Sequence, residues 1–334
     1  MKFSKVLIII GITLFTLSCN QGKVRKDLLP GVSGKAGEVL IVMDKSHWDT
    51  EPGIAFRNLL LEDTPGLPQS EPLFNPMDIP RKSFSEMFRI HRNIIITNIS
   101  NTVEKPGIQV DYNKWARSQL VITMVAPNRQ TFMELYDNNS QKILSLLLKA
   151  EKDRISDNYK KYEERNVIEK LENRTGVHLT IPKAYTYDLD TNNFVWLSLE
   201  TPEISQGIFV YYYEYKDTSD FSANSLINKR NEILKLYVAG EGKGTYMTTE
   251  LEVFPHYRSF NLNGKYTTEL RGLWKVEGDF MGGPFLSISQ VDEKRNRIVT
   301  VEGYVYAPKF NKREYIRQLE AILYSLEFVD EMKK

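Results

Sequence analysis

The chain has 334 residues, 41% of them hydrophobic and 26% charged, which excludes a disordered chain or a polytopic membrane protein and leaves length for two domains. Lysine and arginine total 44 against 43 acidic residues, so no net field draws the protein to nucleic acid or to an anionic surface. A single cysteine, Cys19, excludes an internal disulfide and leaves core packing to hold the fold.

Residues 1–18 read as a secretory signal: Lys2 and Lys5 form a basic start, Val6 to Leu17 an apolar run of 12 residues, and Ser18 is small. That run is shorter than the roughly 20 residues a spanning helix needs. The order Leu17, Ser18, Cys19 resembles the lipobox of bacterial lipoproteins, with Thr16 standing where leucine is usual. The resemblance implies that Cys19 is lipidated and becomes the first residue of the mature chain. Acyl chains on that cysteine would contribute about 0.8 kcal/mol per buried methylene, an effectively permanent anchor. Removing residues 1–18 removes two lysines and no acid, so the formal charge passes from +1 to −1.

Residues 19–36, with Gly22, Pro30, Gly31 and Gly34, are expected to form a flexible tether. Lys23, Arg25 and Lys26 make its start basic, whereas surface-exported lipoproteins of the type this resembles often carry acids there. The expectation is therefore an outer membrane lipoprotein facing the periplasm.

Residues 37–127 predict an N-terminal α/β domain. EVLIVM at 38–43 suits a buried strand, a helical pattern follows Pro52 and Gly53, and strands are expected at 93–99 and 119–126. A short helix around Tyr112 to Arg117 is expected between the last two. Residues 128–175 predict one or two long helices with a charged, solvated face, broken near Asp137, Asn138 and Asn139 and closed by Gly176. Residues 176–330 form a second compositional unit, holding 14 of the 18 tyrosines between Tyr185 and Tyr324. Strand patterns occur at 194–200, 207–215, 245–254, 268–278, 284–291 and 297–307, with helices at 223–239 and 312–328. The fold class is α+β with mixed layers, the second half being an antiparallel sheet covered by helices.

No residue pattern carries a catalytic signature. The thiol is spent on the anchor, no G-x-S-x-G occurs, and His47, His91, His178 and His256 are scattered. Glu250 and Glu252 would share a strand face with His256 following, but a solvent face explains them. AGEGKGT at 239–245 lacks phosphate-loop spacing and follows a helix. In GDFMGGPF, Gly282 and Gly283 are expected to supply positive φ in a strand connection.

Three groups remain as ligand-binding candidates. Asp44, His47 and Trp48, with Asp49, follow the first strand, where α/β folds often place ligands. Arg89 and His91 fall on one side of a strand by period two, with reach for a carboxylate or phosphate. Tyr211, Tyr213 and Tyr215 alternate onto one face, with Tyr212 opposite, and Tyr304 and Tyr306 repeat the pattern. Such rings suit an interface or a sugar-like ligand, and equally a sheet face half covered by a helix.

The lipobox cysteine, GEVLIVMDKSHW, HRNIIITNI, TGVHLTIPKAY and RGLWKVEGDFMGGPF together resemble an uncharacterised lipoprotein family of Bacteroidota, a domain of unknown function. GVHLTIPKAY, the strands after it and the closing helix with SLEF resemble the architecture shared by Mog1 and PsbP proteins. These resemblances imply class and location without an activity. The expected role is non-enzymatic binding or assembly, without cofactor, metal or nucleic acid, with the membrane as partner through the lipid and an envelope protein or glycan as ligand. The alternative is a periplasmic envelope hydrolase with a dispersed acid/base set around Asp44, His47, Arg89 and His91.

Overall fold

The computed structural model describes residues 29–332; the signal segment and Cys19 lie outside the described residues. The first half follows β1 (Glu38–Val42), α1 (Lys45–Trp48), α2 (Glu51–Leu60), β2 (Asn75–Ile79), α3 (Glu86–Arg89), β3 (Asn93–Ile99), β4 (Gly107–Tyr112), β5 (Leu120–Ala126), α4 (Arg129–Asp137) and α5 (Ser140–Lys161). Its sheet has the order β2-β1-β3-β5-β4, parallel except for β4. The Ile- and Val-rich runs read as nearly continuous hydrophobic segments because both faces of the central strands are covered. Val39, Ile41, Ile95 and Ile122 face α2, α4 and α5 through Phe56, Phe132, Tyr136 and Leu147. Leu40, Val42, Ile94 and Val121 face Phe84, Phe88 and Trp115 on the other side.

Two expectations for this half are corrected. Residues 107–112 form the edge strand β4, and no helix forms at 112–117. Asn113 turns the chain at φ 55°, and the Gln119 side chain accepts the Trp115 N–H at 3.0 Å. The end of the expected tether is docked: the Pro30 carbonyl accepts from Arg117 N–H at 2.8 Å, and Ser33 exchanges hydrogen bonds with Ile90 and Arg92.

The helical segment breaks where expected, the Asn138 and Asn139 side chains donating back to Glu134 and Leu135 carbonyls at 2.8 Å. A third helix, α6 (Arg165–Thr175), follows because the chain leaves α5 to pair with 181–183: Lys183 N–H donates to Tyr162 O and Glu164 N–H to Ile181 O. Gly176 closes α6 at φ 72°.

The second half continues with β6 (Val177–His178), β7 (Thr186–Asp190), β8 (Phe194–Glu200), β9 (Ser205–Glu214), α7 (Ala223–Tyr237), β10 (Tyr246–Thr249), β11 (His256–Leu262), β12 (Lys265–Glu277), β13 (Gly282–Asp292), β14 (Arg297–Tyr306), α8 (Arg313–Leu323) and β15 (Glu327–Phe328). An antiparallel eight-stranded sheet runs β10-β12-β13-β14-β9-β8-β7, with β11 also on β12. Alternation assigns its faces: Val195, Ile208, Leu286, Val299 and Val301 meet Ile168 and Leu171 of α6 and Leu319 and Ile322 of α8. Phe194, Phe209, Tyr211, Trp274 and Tyr304 meet Leu226, Ile227 and Leu234 of α7.

The strand expected at 245–254 ends at Thr249. Glu250 turns back to accept the Glu252 N–H at 2.9 Å, so these acids share no strand face, and His256 opens the exposed β11. The β11–β12 turn uses Asn263 and Gly264 at φ 55° and 87°, the pair that a tight hairpin demands. The terminal helix stops at Leu323, and Phe328 pairs with Val177 in a short strand. Gly282 and Gly283 lie in β13; Gly278 takes the positive φ of 85°.

The halves are joined by a buried polar seam. Glu71 accepts the Lys312 and Arg313 N–H groups at 2.6 and 2.9 Å, capping α8 from the other half. Arg313 and Arg317 donate to the carbonyls of Pro72 and Leu73. Nearby, Glu269 takes Arg258 and Arg271, each at 2.7 Å, and the Tyr324 hydroxyl at 2.6 Å. Burial alone would raise the Glu269 carboxyl, but the Arg271 charge and the two guanidinium hydrogen bonds outweigh it and hold it at about 2. No helix among the described residues is long and apolar enough to cross a membrane.

Candidate ligand pocket

The first sheet does not bring its candidate residues together. β1 is parallel to both neighbours, so Asp44 and His47 do follow a C-terminal strand end. There Asp44 and Trp48 are occupied structurally. Asp44 accepts the Arg81 N–H at 3.3 Å, and the Trp48 carbonyl accepts from Arg57, whose guanidinium lies 4.5 Å from the Trp48 ring centroid. His47 Nδ1 is buried without a partner.

Arg89 and His91 diverge, because 86–89 are helical and period two does not apply. Arg89 is half-exposed beside Glu86 and the Trp115 ring. His91 is buried, with Nδ1 3.1 Å from the Asn93 carbonyl and Nε2 3.5 Å from Glu38. Val42 is level with Ile96 across the sheet, so Asp44 is level with Asn98 and seven residues from the level of His91. At about 3.3 Å per residue that is about 20 Å, and the dispersed acid/base set is not one site. Among the described residues, no group of three or more His, Cys, Asp or Glu is arranged to hold a metal ion.

The tyrosines divide. Tyr211 is buried beneath α7 and Tyr213 partly so, and burial pushes both hydroxyls well above their ordinary value. They belong to the covered face, and Tyr212 lies opposite, its ring 4.1 Å from the Arg297 guanidinium carbon. Tyr304 and Tyr306 instead reach a pocket of about 290 Å³ at the end of that face where α7 stops.

Two glycines make the room. Gly207 on β9 is paired with Tyr304 on β14, and a β-carbon there would lie 1.9 Å from Tyr304 Cε1. Gly283 on β13 is paired with Trp274 on β12, and its β-carbon would lie 3.1 Å from Trp274 Nε1. Without these side chains the two rings lie across neighbouring strands, and Trp274 Nε1 donates to the Val305 carbonyl at 3.2 Å.

The rings form a box. Tyr304 stacks on Phe209 at 5.0 Å and meets Trp274 and Trp196 edge-on at 5.6 and 6.4 Å, and Tyr306 lies 6.2 Å from Trp274. Met247 and Met281 complete the apolar wall. Polar groups sit at the rim: Glu200 accepts the Ser205 hydroxyl at 2.6 Å, and Glu241 comes from the loop after α7. The AGEGKGT segment thus supplies a wall of this pocket through Ala239, Gly240 and Glu241. No histidine, lysine, arginine or cysteine lines it.

Burial, with the Glu200 charge beside it, pushes the Tyr304 hydroxyl well above its ordinary value, while Ser205 and the Trp196 N–H pull the other way. The Trp196 N–H is itself buried and meets no acceptor in hydrogen-bonding geometry. Sequence reasoning missed Trp196, Trp274, Glu200 and Glu241. Alternation places Trp196 beside Phe194, but only the strand order β8-β9-β14 brings it to Tyr304.

No curated protein matches the chain in sequence. Among solved structures, the Ran-binding protein Mog1p of Saccharomyces cerevisiae is similar at 9% identity and a TM-score of 0.32, over 46% of this chain and 90% of Mog1p. A Mog1 point mutant gives the same score over 47% and 92%. The human StarD13 lipid transfer and protein localization domain gives 0.22 at 9% identity, over 49% and 95%. Likenesses this weak decide neither ligand nor partner. Residues 32–160 match the family model described as domain of unknown function DUF8532, and residues 164–325 that of DUF4837, so the chain carries two domains of unknown function in series.

Proposed function

We propose that the protein is a lipid-anchored component of the cell envelope that binds its ligand without transforming it, held through Cys19 at the periplasmic face of the outer membrane. The aromatic pocket is the observation that carries the binding part of this reading. Its walls are Trp196, Trp274, Tyr304, Tyr306, Met247 and Met281, and its ionisable side chains are two rim carboxylates and tyrosines. Such a lining supplies contact area and hydrogen bonds, and its one hydroxyl–carboxylate contact, Ser205 on Glu200, is an exposed one that ties the β8–β9 turn at the rim. Its size fits one small group, either free or presented by a larger envelope partner.

The anchor part rests on the order Leu17, Ser18, Cys19 behind a short apolar run, and the periplasmic orientation on Lys23, Arg25 and Lys26. Mass analysis of the mature amino terminus should find acylated Cys19, and Cys19→Ala should release the protein from the membrane fraction. A free thiol at Cys19 in the mature protein overturns the anchor. Binding is tested separately, by tryptophan fluorescence of the purified protein against small-molecule probes, with Trp196 and Trp274 as native reporters.

A further inference from the structure

We propose that the aromatic pocket recognises an organic cation, a substituted ammonium group; this rests on the reading of that pocket as a binding site. Three observations converge. The first is the set of four rings that line the pocket, Trp196, Trp274, Tyr304 and Tyr306, packed edge to face and backed by Phe209 behind Tyr304. Ring faces carry the negative part of the aromatic quadrupole, and desolvated rings attract a cation far more strongly than exposed ones. Met247 and Met281 add polarisable thioethers to the same wall.

The second is the sign of the charge. Glu200 and Glu241 are the charged residues of the lining, Asp188 lies near enough to act on Tyr304, and among the described residues no lysine, arginine or histidine lines the pocket. The Ser205 hydroxyl holds the Glu200 carboxylate at the rim. An anion entering this pocket meets repulsion and no donor charge, whereas a cation meets two carboxylates and a set of ring faces.

The third is the distribution of hydrogen-bonding groups. The inner wall keeps both indole N–H groups from a ligand, since Trp274 Nε1 is spent on Val305 and Trp196 Nε1 is buried beside Tyr304, and Ser205, Glu200 and Glu241 stand at the rim. A sugar ring pushed past the rim would bury hydroxyls against rings and thioethers, at a cost for each one left unpaired.

The test uses the full-length protein in detergent, with tryptophan fluorescence as readout and three probes: choline chloride, its uncharged isostere 3,3-dimethylbutan-1-ol, and methyl β-D-glucopyranoside. Choline should saturate the signal and bind roughly tenfold or more tightly than the alcohol, the ratio that a desolvated cation–aromatic contact predicts. The double substitution Glu200→Gln with Glu241→Gln should weaken choline several-fold and leave the alcohol unchanged. Equal binding of choline and the alcohol, or binding of the glucoside alone, overturns the cation while the pocket remains a binding site. If none of the three binds to protein whose thermal melt is intact, the cation is overturned and the binding reading loses its support with it.

Discussion

The C-terminal end of the parallel sheet and the aromatic pocket of the antiparallel sheet make opposite use of their side chains. At the first, Asp44 holds Arg81 and Trp48 holds Arg57, so these two groups are consumed in holding loops. At the second, two strand positions carry no side chain at all, and the rings opposite them gain space. A ligand site needs side chains left unspent, and here absence of a β-carbon creates more of a site than presence of a charge.

The largest expected effect is at Gly207. Gly207→Ala places a β-carbon 1.9 Å from Tyr304 Cε1, and the overpacking should cost about 3 kcal/mol and close the pocket. Gly107→Ala, on the edge strand of the first sheet with open space around it, should change stability little. Paired urea titrations check both, and equal effects at the two glycines would break the comparison.

The buried Glu269 cluster of the second half comes next. Glu269 is lowered from 4.5 to about 2 in the folded protein, so its stabilising contribution is full above pH 4.5 and lost as pH falls from there toward 2. Glu269→Gln should cost about 2 kcal/mol at neutral pH, since it leaves Arg271 and Arg258 without their carboxylate. The variant should also flatten the fall of the urea midpoint between pH 5 and 2. An unchanged acid limb would show that Glu269 is not the group responsible.

Smaller effects separate binding from folding. Trp196→Phe keeps a ring but offers a cation the poorer aromatic face, so stability should change by about 1 kcal/mol or less while choline binding weakens. Asp44→Ala removes an exposed carboxylate from the other region; a change within about 0.5 kcal/mol is expected, with ligand binding untouched. Loss of choline binding in Asp44→Ala would move the site to the first sheet.

Much of the fold was legible from local pattern. EVLIV, NIIITNI and LVITMVA are buried strands because a parallel sheet covered on both faces demands continuous apolar runs. Asn138, Asn139 and Gly176 end helices through short-range hydrogen bonds and backbone freedom. Illegible segments depend on distant partners: Tyr112 joins an edge strand because β5 lies beside it, and α5 stops at Lys161 because 181–183 draw the chain away.

For the site, sequence by itself determined that Tyr304 and Tyr306 share a strand face, that Glu241 sits in a glycine-rich loop after a helix, and that Cys19 stands where a lipidated cysteine is expected. Only the tertiary structure decided that Tyr304 lies over Gly207, about a hundred residues away in the chain, with Trp196 and Trp274 closing around it. The physical reason is register. Alternation along a strand is local and readable, whereas which strand becomes the neighbour, and at what offset, is set by the packing of the whole sheet between its helices.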